Sequence, residues 1–370
     1  MAEPLQKVRY AVVGAGHIAQ SAMLPAFARA ERSELAAIVT GDPDKAKALG
    51  QRYRVETTDY DGLPALLASG RVDAVYIATP NHLHCEQTVL AAQHGVHVLC
   101  EKPMAVTEAE CDRMHEACDD HGVRLMIAYR LHFDPTTLDV RERIRKEIGE
   151  PRYFSATFSQ RVRPGDIRLK PHDEGGGPLY DIGVYCINAA RLLFGDEPVR
   201  ATAFGTRIAD PRFAHSDTSV AVTLQFPGDR LASFVCSFDA FGDNRLHVVG
   251  TEGAVLLEPA FGYDAPMTWR LRLPDEAERS RTRAEHDQFG PELDHLSACI
   301  LDGHAPEPDW REGKADVRIV RALLESAAEG GRPVHLEPVD QRRRPTRDQA
   351  VSRPPVAVPP EVDAGPPTLS

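Results

Sequence analysis

The sequence predicts an α/β fold in two parts, a doubly wound parallel sheet over residues 1–130 and an α+β domain over residues 131–337. Three observations predict it. The chain has 370 residues, too many for one ordinary core. Up to residue 130, branched apolar runs alternate with helical patterns of about 10–15 residues, the grammar of a parallel sheet covered on both faces. Beyond that point strand-like runs follow one another without intervening helices, which makes a mostly antiparallel sheet.

The elements follow in order. Residues 8–13 form a first strand, and Gly14-Ala15-Gly16-His17-Ile18-Ala19 turns from it into a helix. Residues 35–39, 72–78 and 96–99 are the next strands, and Gly95 can end the helix before the last of them. Thr107 with Glu110 spells a capping box for the following helix, which Gly122 closes ahead of a strand at 123–128. A helix beginning near Asp134-Pro135 leads into a strand at 153–158, and a further helix runs from Asp181 to Phe194 and stops at Gly195. Strands at 201–206, 219–226, 231–238, 245–249 and 254–257 and helices at 291–301 and 313–328 complete the second domain. Residues 338–370, basic at Arg342-Arg343-Arg344 and then rich in Pro, Val and Ala, lack periodicity and are read as a disordered tail.

Bulk properties exclude several classes. Hydrophobic content of 42% and charged content of 26% are those of a soluble globular protein. A net charge of −12 argues against a nucleic-acid surface, which needs clustered Lys and Arg. No run approaches the roughly 18 apolar residues that span a membrane. The start, Met1-Ala2-Glu3-Pro4-Leu5-Gln6-Lys7, lacks the regions of a secretory signal, so a cytoplasmic protein is expected. The seven cysteines show no C-x-x-C pair or zinc-ligand spacing and read as small buried side chains; no metal is expected.

The glycine motif matches G-x-G-x-x-G/A between a strand and a helix, the setting that makes it a dinucleotide fingerprint. Gly14 permits the turn, Gly16 admits a pyrophosphate, and the N–H groups of His17 and Ile18 open the helix at the anion. After the second strand, Thr40, Gly41 and Asp42 precede Lys45 and Lys47. The hydroxyl of Thr40 and the charge of Lys45 suit the 2′-phosphate of NADP, whereas Asp42 keeps NAD open. Thr79, Pro80, Asn81 and His84 lie at the end of the third strand, where ligands of such sheets collect; His82 and His84 have no partner for a metal nearby.

The proton chemistry falls on Lys102, Asp181 and Tyr185. Lys102 ends the fourth strand, and Asp181 and Tyr185 stand four apart on one helix face. A tyrosine, with an ordinary pKa of about 10, is a poor base at neutral pH. An adjacent ammonium makes it a proton acceptor, and Asp181 can orient the substrate hydroxyl or the lysine. The alternatives are a Glu101–Lys102 salt bridge and a core tyrosine. Arg168 and Asn188 are candidate substrate contacts.

At these residues the chain resembles the glucose–fructose oxidoreductase / inositol dehydrogenase (Gfo/Idh/MocA) family, closest to the glucose–fructose oxidoreductase branch. The matching pieces include Tyr10-Ala11-Val12-Val13-Gly14-Ala15-Gly16, Cys100-Glu101-Lys102-Pro103-Met104, Leu125-Met126-Ile127-Ala128-Tyr129-Arg130, Asp181-Ile182-Gly183-Val184-Tyr185 and Gly250-Thr251-Glu252-Gly253. The resemblance implies an N-terminal Rossmann domain and a C-terminal domain whose large open sheet often forms the interface of a homodimer or homotetramer. It implies that Glu101, Lys102 and Arg130 border the cofactor, that a cis peptide often precedes Pro103, and that Asp181 and Tyr185 are catalytic. Tyrosine replaces the histidine common in the family and matches the glucose–fructose oxidoreductase and dihydrodiol or xylose dehydrogenase branches. The long N-terminal arm that holds NADP in the periplasmic oxidoreductase is absent from the sequence, so an exchanging cofactor and a one-substrate reaction are expected. The expected activity is NADP-dependent hydride transfer with a sugar or polyol. The alternatives are a non-enzymatic NAD(P) sensor and an NAD-dependent, redox-neutral glycosidase.

Overall fold

The computed structural model describes residues 6–337 and 344–369, which fall into two compact units. Unit 1 holds the described residues up to Arg130, with Asp287–Lys314 and Ser352–Pro366. Its sheet has six strands: β1 (Val8–Val13), β2 (Ser33–Val39), β3 (Glu56–Thr58), β4 (Ala74–Ile77), β5 (His97–Cys100) and β6 (Leu125–Ile127). They lie in the order β3-β2-β1-β4-β5-β6, all parallel. The order reverses between β1 and β4, and ligands bind at the strand ends beside such a switch point. The apolar runs of β1, β4 and β5 are almost wholly buried, as expected for strands covered on both faces.

The crossovers carry α1 (Leu24–Ala26), α2 (Pro43–Tyr53), α3 (Leu63–Ala68), α4 (His84–Gln93) and α5 (Glu108–Asp120). The capping box of Thr107 and Glu110 opens α5 as the sequence predicts. Asp42 opens α2, its carboxylate accepting from the Lys45 N–H at 2.9 Å, with Pro43 at the first position. Strand β3, Glu56-Thr57-Thr58, escapes the sequence reading because three polar residues carry no apolar alternation.

Unit 2 comprises the described parts of Leu131–His286, Ala315–Val351 and Pro367–Ser370. It contains α6 (Pro135–Glu147), β7 (Pro151–Arg161), α7 (Val184–Phe194), β8 (Arg200–Thr206), β9 (Ser219–Phe226), β10 (Arg230–Ser237), β11 (Asp239–Gly250) and β12 (Ala254–Glu258). Strands β13 (Met267–Arg272), β14 (Arg279–Arg283) and β15 (Val334–His335) extend the sheet beyond the sequence reading. The order is β14-β13-β12-β11-β7-β10-β9-β8-β15, antiparallel except where β7 meets β10. β14, Arg-Ser-Arg-Thr-Arg, is a polar edge strand held by its ladder to β13, and nothing in its composition announces it.

Two helices follow, α8 (Gly290–Leu301) and α9 (Trp310–Ala328). The sequence reading places both in the second domain, but α8 belongs to unit 1. Tyr10 of β1 donates its hydroxyl to the Leu293 carbonyl at 3.2 Å, and Ser33 of β2 donates to Asp294 at 2.9 Å. An amphipathic helix goes where its face is complemented, and sequence order does not record that return. In unit 2, α7 and α9 are tied by Arg191, fully buried, whose guanidinium meets Asp316 at 2.5 Å and Glu197 at 2.7 Å.

The tail differs as well. Residues 338–343, including Arg342 and Arg343, lie outside the described residues. Residues 352–366 pack on unit 1 through specific polar contacts instead of standing free, and Leu369 N–H donates to Arg161 O at 2.7 Å in unit 2. Composition shows that the segment has no core of its own, but not that folded surfaces elsewhere offer it partners.

Candidate active site

In unit 1 the glycine turn is shaped by backbone. Gly14 adopts φ +97°, and a Cβ there would stand 2.7 Å from the Ala78 carbonyl oxygen, so only glycine fits between β1 and the end of β4. Gly16 is exposed, and a Cβ there would meet nothing within 4 Å. That open side of the turn is the room a pyrophosphate needs, at a helix whose first turn, Ala19–Met23, is π-helical. His17 and Ile18 sit at this opening, half-buried. These residues fit a bound dinucleotide.

Around the turn, the predicted cofactor residues divide into two kinds. Thr40, buried, ends β2 with its N–H on the Thr58 carbonyl at 3.0 Å, and Lys45 lies in the first turn of α2. The Asp42 carboxyl is held below its ordinary pKa by the Lys45 N–H, so the residue that argued for NAD is engaged as a helix cap. Thr79 donates its hydroxyl to Gln87 at 2.6 Å, and Pro80 and Asn81 remain partly exposed at the end of β4.

His84 does not join them: it is fully buried, with Nε2 3.0 Å from the Thr79 carbonyl and Nδ1 3.0 Å from that of Pro103. Burial pushes its pKa down, against the pull of the two carbonyls it lies between. A loop histidine and a core histidine look alike in sequence, so nothing near His84 distinguishes a cofactor contact from a brace.

Glu101 accepts from the Tyr76 hydroxyl at 2.5 Å and from the Lys102 N–H at 3.1 Å. Burial raises its pKa, against the opposing pull of the Lys102 charge and the Tyr76 hydrogen bond. The Lys102–Pro103 peptide is cis, and Lys102 stays partly exposed just beyond β5. Arg130 is buried, donating to Gln288 with its guanidinium 5.8 Å from the centre of the Phe289 ring.

In unit 2 the arrangement is built from side chains. From Gly175 to Phe194 every residue is buried except Asp181 and Tyr185. Asp181 lies in a π-helical turn, Leu179–Gly183, that runs directly into α7. Its Oδ2 accepts from Gln160 Nε2 at 3.0 Å and Arg168 Nε at 2.9 Å, and Arg168 also meets Asp166 at 3.1 Å. The loop carrying Arg168 closes tightly: a Cβ on Gly176 would overlap the Lys170 carbonyl at 1.8 Å. Tyr185 is flanked by Phe158 and Phe261, with ring centroids at 5.6 and 6.1 Å.

Thus Arg168 joins Asp181 as predicted company, though through the carboxylate. Asn188 does not: its Oδ1 meets His132 at 3.0 Å and its amide donates to Asp316 at 3.0 Å, inside the buried network of Arg191. Gln160, Asp166, Phe158 and Phe261 were missed. They come from β7, a loop and the segment after β12, and carry no motif that marks them.

Two family models match the chain. Residues 8–129 match the oxidoreductase family with an NAD-binding Rossmann fold, and residues 137–256 match the GFO/IDH/MocA C-terminal domain. The chain belongs to the Gfo/Idh/MocA oxidoreductase family. Within that family, D-xylose 1-dehydrogenase [NADP(+)] from Haloarcula marismortui is 32% identical over 330 residues, 86% of this chain and 91% of the relative. Aldose-aldose oxidoreductase from Caulobacter crescentus, solved with glycerol, is 37% identical, with a TM-score of 0.84 over 90% of this chain and 100% of the other. KijD10, a 3-ketoreductase from Actinomadura kijaniata solved with NADP and TDP-benzene, is 28% identical, with a TM-score of 0.79 over 87% and 98%. No helix among the described residues is long and apolar enough to cross a membrane, and no group of three or more His, Cys, Asp or Glu side chains among them could hold a metal.

Proposed function

We propose that this Gfo/Idh/MocA member is an NADP-dependent oxidoreductase that interconverts an alcohol of a sugar or polyol and its carbonyl or lactone. One observation carries the reading. Of twenty consecutive residues from Gly175 to Phe194, only a carboxylate and a phenol one helical turn apart reach the surface, and the carboxylate is pinned by Gln160 and Arg168. Burial of all neighbours fixes their positions, which is what proton transfer to a bound hydroxyl requires.

When bound, the nicotinamide supplies the hydride acceptor or donor. Tyr185 takes the hydroxyl proton during oxidation and returns it during reduction. Lys102, from the Glu101-Lys102-Pro103 motif, assists as the positive charge of the reaction. Asp181 orients the hydroxyl, with Arg168 as its positioning residue. Thr40 and Lys45, the use of Asp42 as a cap, and the NADP of the relatives support NADP over NAD. Exposed Phe204, Leu231, Val235 and Phe241 on the large sheet support a homo-oligomer, and seven free, buried cysteines suit a reducing cytoplasm.

The test is absorbance in the reduced-nicotinamide band with NADP or NAD and a panel of aldoses, polyols and cyclitols. Cofactor reduction that disappears in Tyr185→Phe and Lys102→Ala is the expected result. No reduction with any of them, and no reoxidation with keto-sugars, would overturn it in favour of a sensor or a redox-neutral glycosidase.

A further inference from the structure

We propose that residues 353–363, near the C-terminus, form a strap that completes the dinucleotide site of unit 1 and slows release of the cofactor. The proposal rests on the dinucleotide reading of the glycine turn and on nothing about the sugar.

The strap is anchored at both ends. At its start, the Arg353 carbonyl accepts from the Asp287 N–H at 3.1 Å, and its guanidinium meets Asp294 of α8 at 2.7 Å. At its far end, Gln20, itself buried, clamps the backbone of Val362: its Oε1 accepts from the Val362 N–H at 2.8 Å and its Nε2 donates to the Val362 carbonyl at 3.0 Å. The same Nε2 donates to the Ala15 carbonyl at 2.9 Å, so one side chain joins the strap to the residue between Gly14 and Gly16. Arg52 holds the Pro360 carbonyl at 2.8 Å. Pro354, Pro355, Pro359 and Pro360 pre-extend the segment between anchors, so little chain entropy opposes its docking.

Glu361 points to a ligand as well as to a fold. Its Oε1 lies 2.9 Å from His17 Nδ1, at the opening of the helix. Its Oε2 is buried without a hydrogen-bond partner. A buried acceptor without a donor is costly, and a small shift of the strap as a dinucleotide enters would bring a ribose hydroxyl, a donor, to it. The other contacts tie the strap to the protein; this oxygen is left over for what binds there.

The strap changes one expectation. Resemblance to the family leads to the expectation of an exchanging cofactor. A segment at 353–363 docked beside the Gly14–Gly16 turn points instead to a retained one.

The experiment uses the full chain and contains no sugar. NADPH release is followed by fluorescence after rapid mixing with excess NADP, in the wild type, in Glu361→Ala and in a variant with Pro354, Pro355, Pro359 and Pro360 all changed to serine. Release at least tenfold faster in both variants is expected. In parallel, amide hydrogen exchange of residues 353–363 should slow when NADP is added. Equal release rates in all three proteins, or exchange in the segment unaffected by NADP, would overturn the strap while leaving the dehydrogenase reading intact. A protein that reduces no sugar yet shows the release difference would sink the dehydrogenase reading and keep the strap.

Discussion

The dinucleotide turn of unit 1 and the candidate catalytic helix of unit 2 both adjoin a π-helical turn, Ala19–Met23 in one and Leu179–Gly183 in the other, yet they are built from different materials. The turn is backbone. Its decisive residues, Gly14 and Gly16, act by having no side chain, one so that β1 can pass the Ala78 carbonyl and the other so that the ligand side stays open. The helix is side chain. Asp181 and Tyr185 act by projecting from an otherwise buried segment, and Gln160, Arg168, Phe158 and Phe261 fix where they project. Substitutions in the turn should therefore act through conformation and binding, and those on the helix through rate.

The sharpest way to break that contrast is Tyr185→Phe. It removes one oxygen and should lower kcat about 10²–10⁴-fold with NADPH affinity and melting temperature unchanged. A parallel loss of NADPH affinity, read by fluorescence titration, would mean that the phenol builds the site instead of moving a proton.

The helix owes its fixed position to the buried Arg191 pair with Asp316 and Glu197. Arg191→Met takes the shared cation from both carboxylates, leaving Asp316 with the Asn188 amide and Glu197 with Arg344, and should cost about 3–5 kcal/mol in urea unfolding. A loss under 1 kcal/mol would show that α7 is held by apolar packing alone.

Within the turn, the two glycines should separate. Gly14→Ala forces a side chain into a positive-φ site against a carbonyl and should destabilise the protein by about 1–3 kcal/mol. Gly16→Ala enters open space and should change stability by no more than about 0.5 kcal/mol, while weakening dinucleotide binding. Equal melting temperatures with equal affinities would erase the distinction.

The smallest expected effect is a pH dependence in unit 2. His286 Nε2 lies 2.7 Å from Asp134, the cap of α6. Burial pushes the His286 pKa down, but the hydrogen bond and charge of Asp134 outweigh it, leaving the folded value above the ordinary 6.5. A raised histidine stabilises fully below its unfolded pKa, and the contribution is lost as pH rises through the folded value. The gap in melting temperature between wild type and His286→Gln should therefore be widest near about pH 5.5 and shrink at about pH 8.5. A gap that widens with pH would reverse the assignment.

What was legible in the sequence was whatever is local. The G-x-G-x-x-A turn, the capping box of Thr107, the stop at Gly195 and the four-residue spacing of Asp181 and Tyr185 each follow from neighbours along the chain, because backbone conformation and helical periodicity are set within a turn or two. Tertiary structure alone decided the rest. It sent His84 and Asn188 into buried networks, brought Gln160 and Arg168 to Asp181, returned α8 to the first sheet and laid the proline-rich segment against Gln20 and His17. A buried polar group takes whichever partner the folded surfaces bring within hydrogen-bond distance, and those partners are separated by 21 residues at Gln160 and Asp181 and by 344 at His17 and Glu361. Sequence pattern fixes which residue types are available; only packing fixes which of them meet.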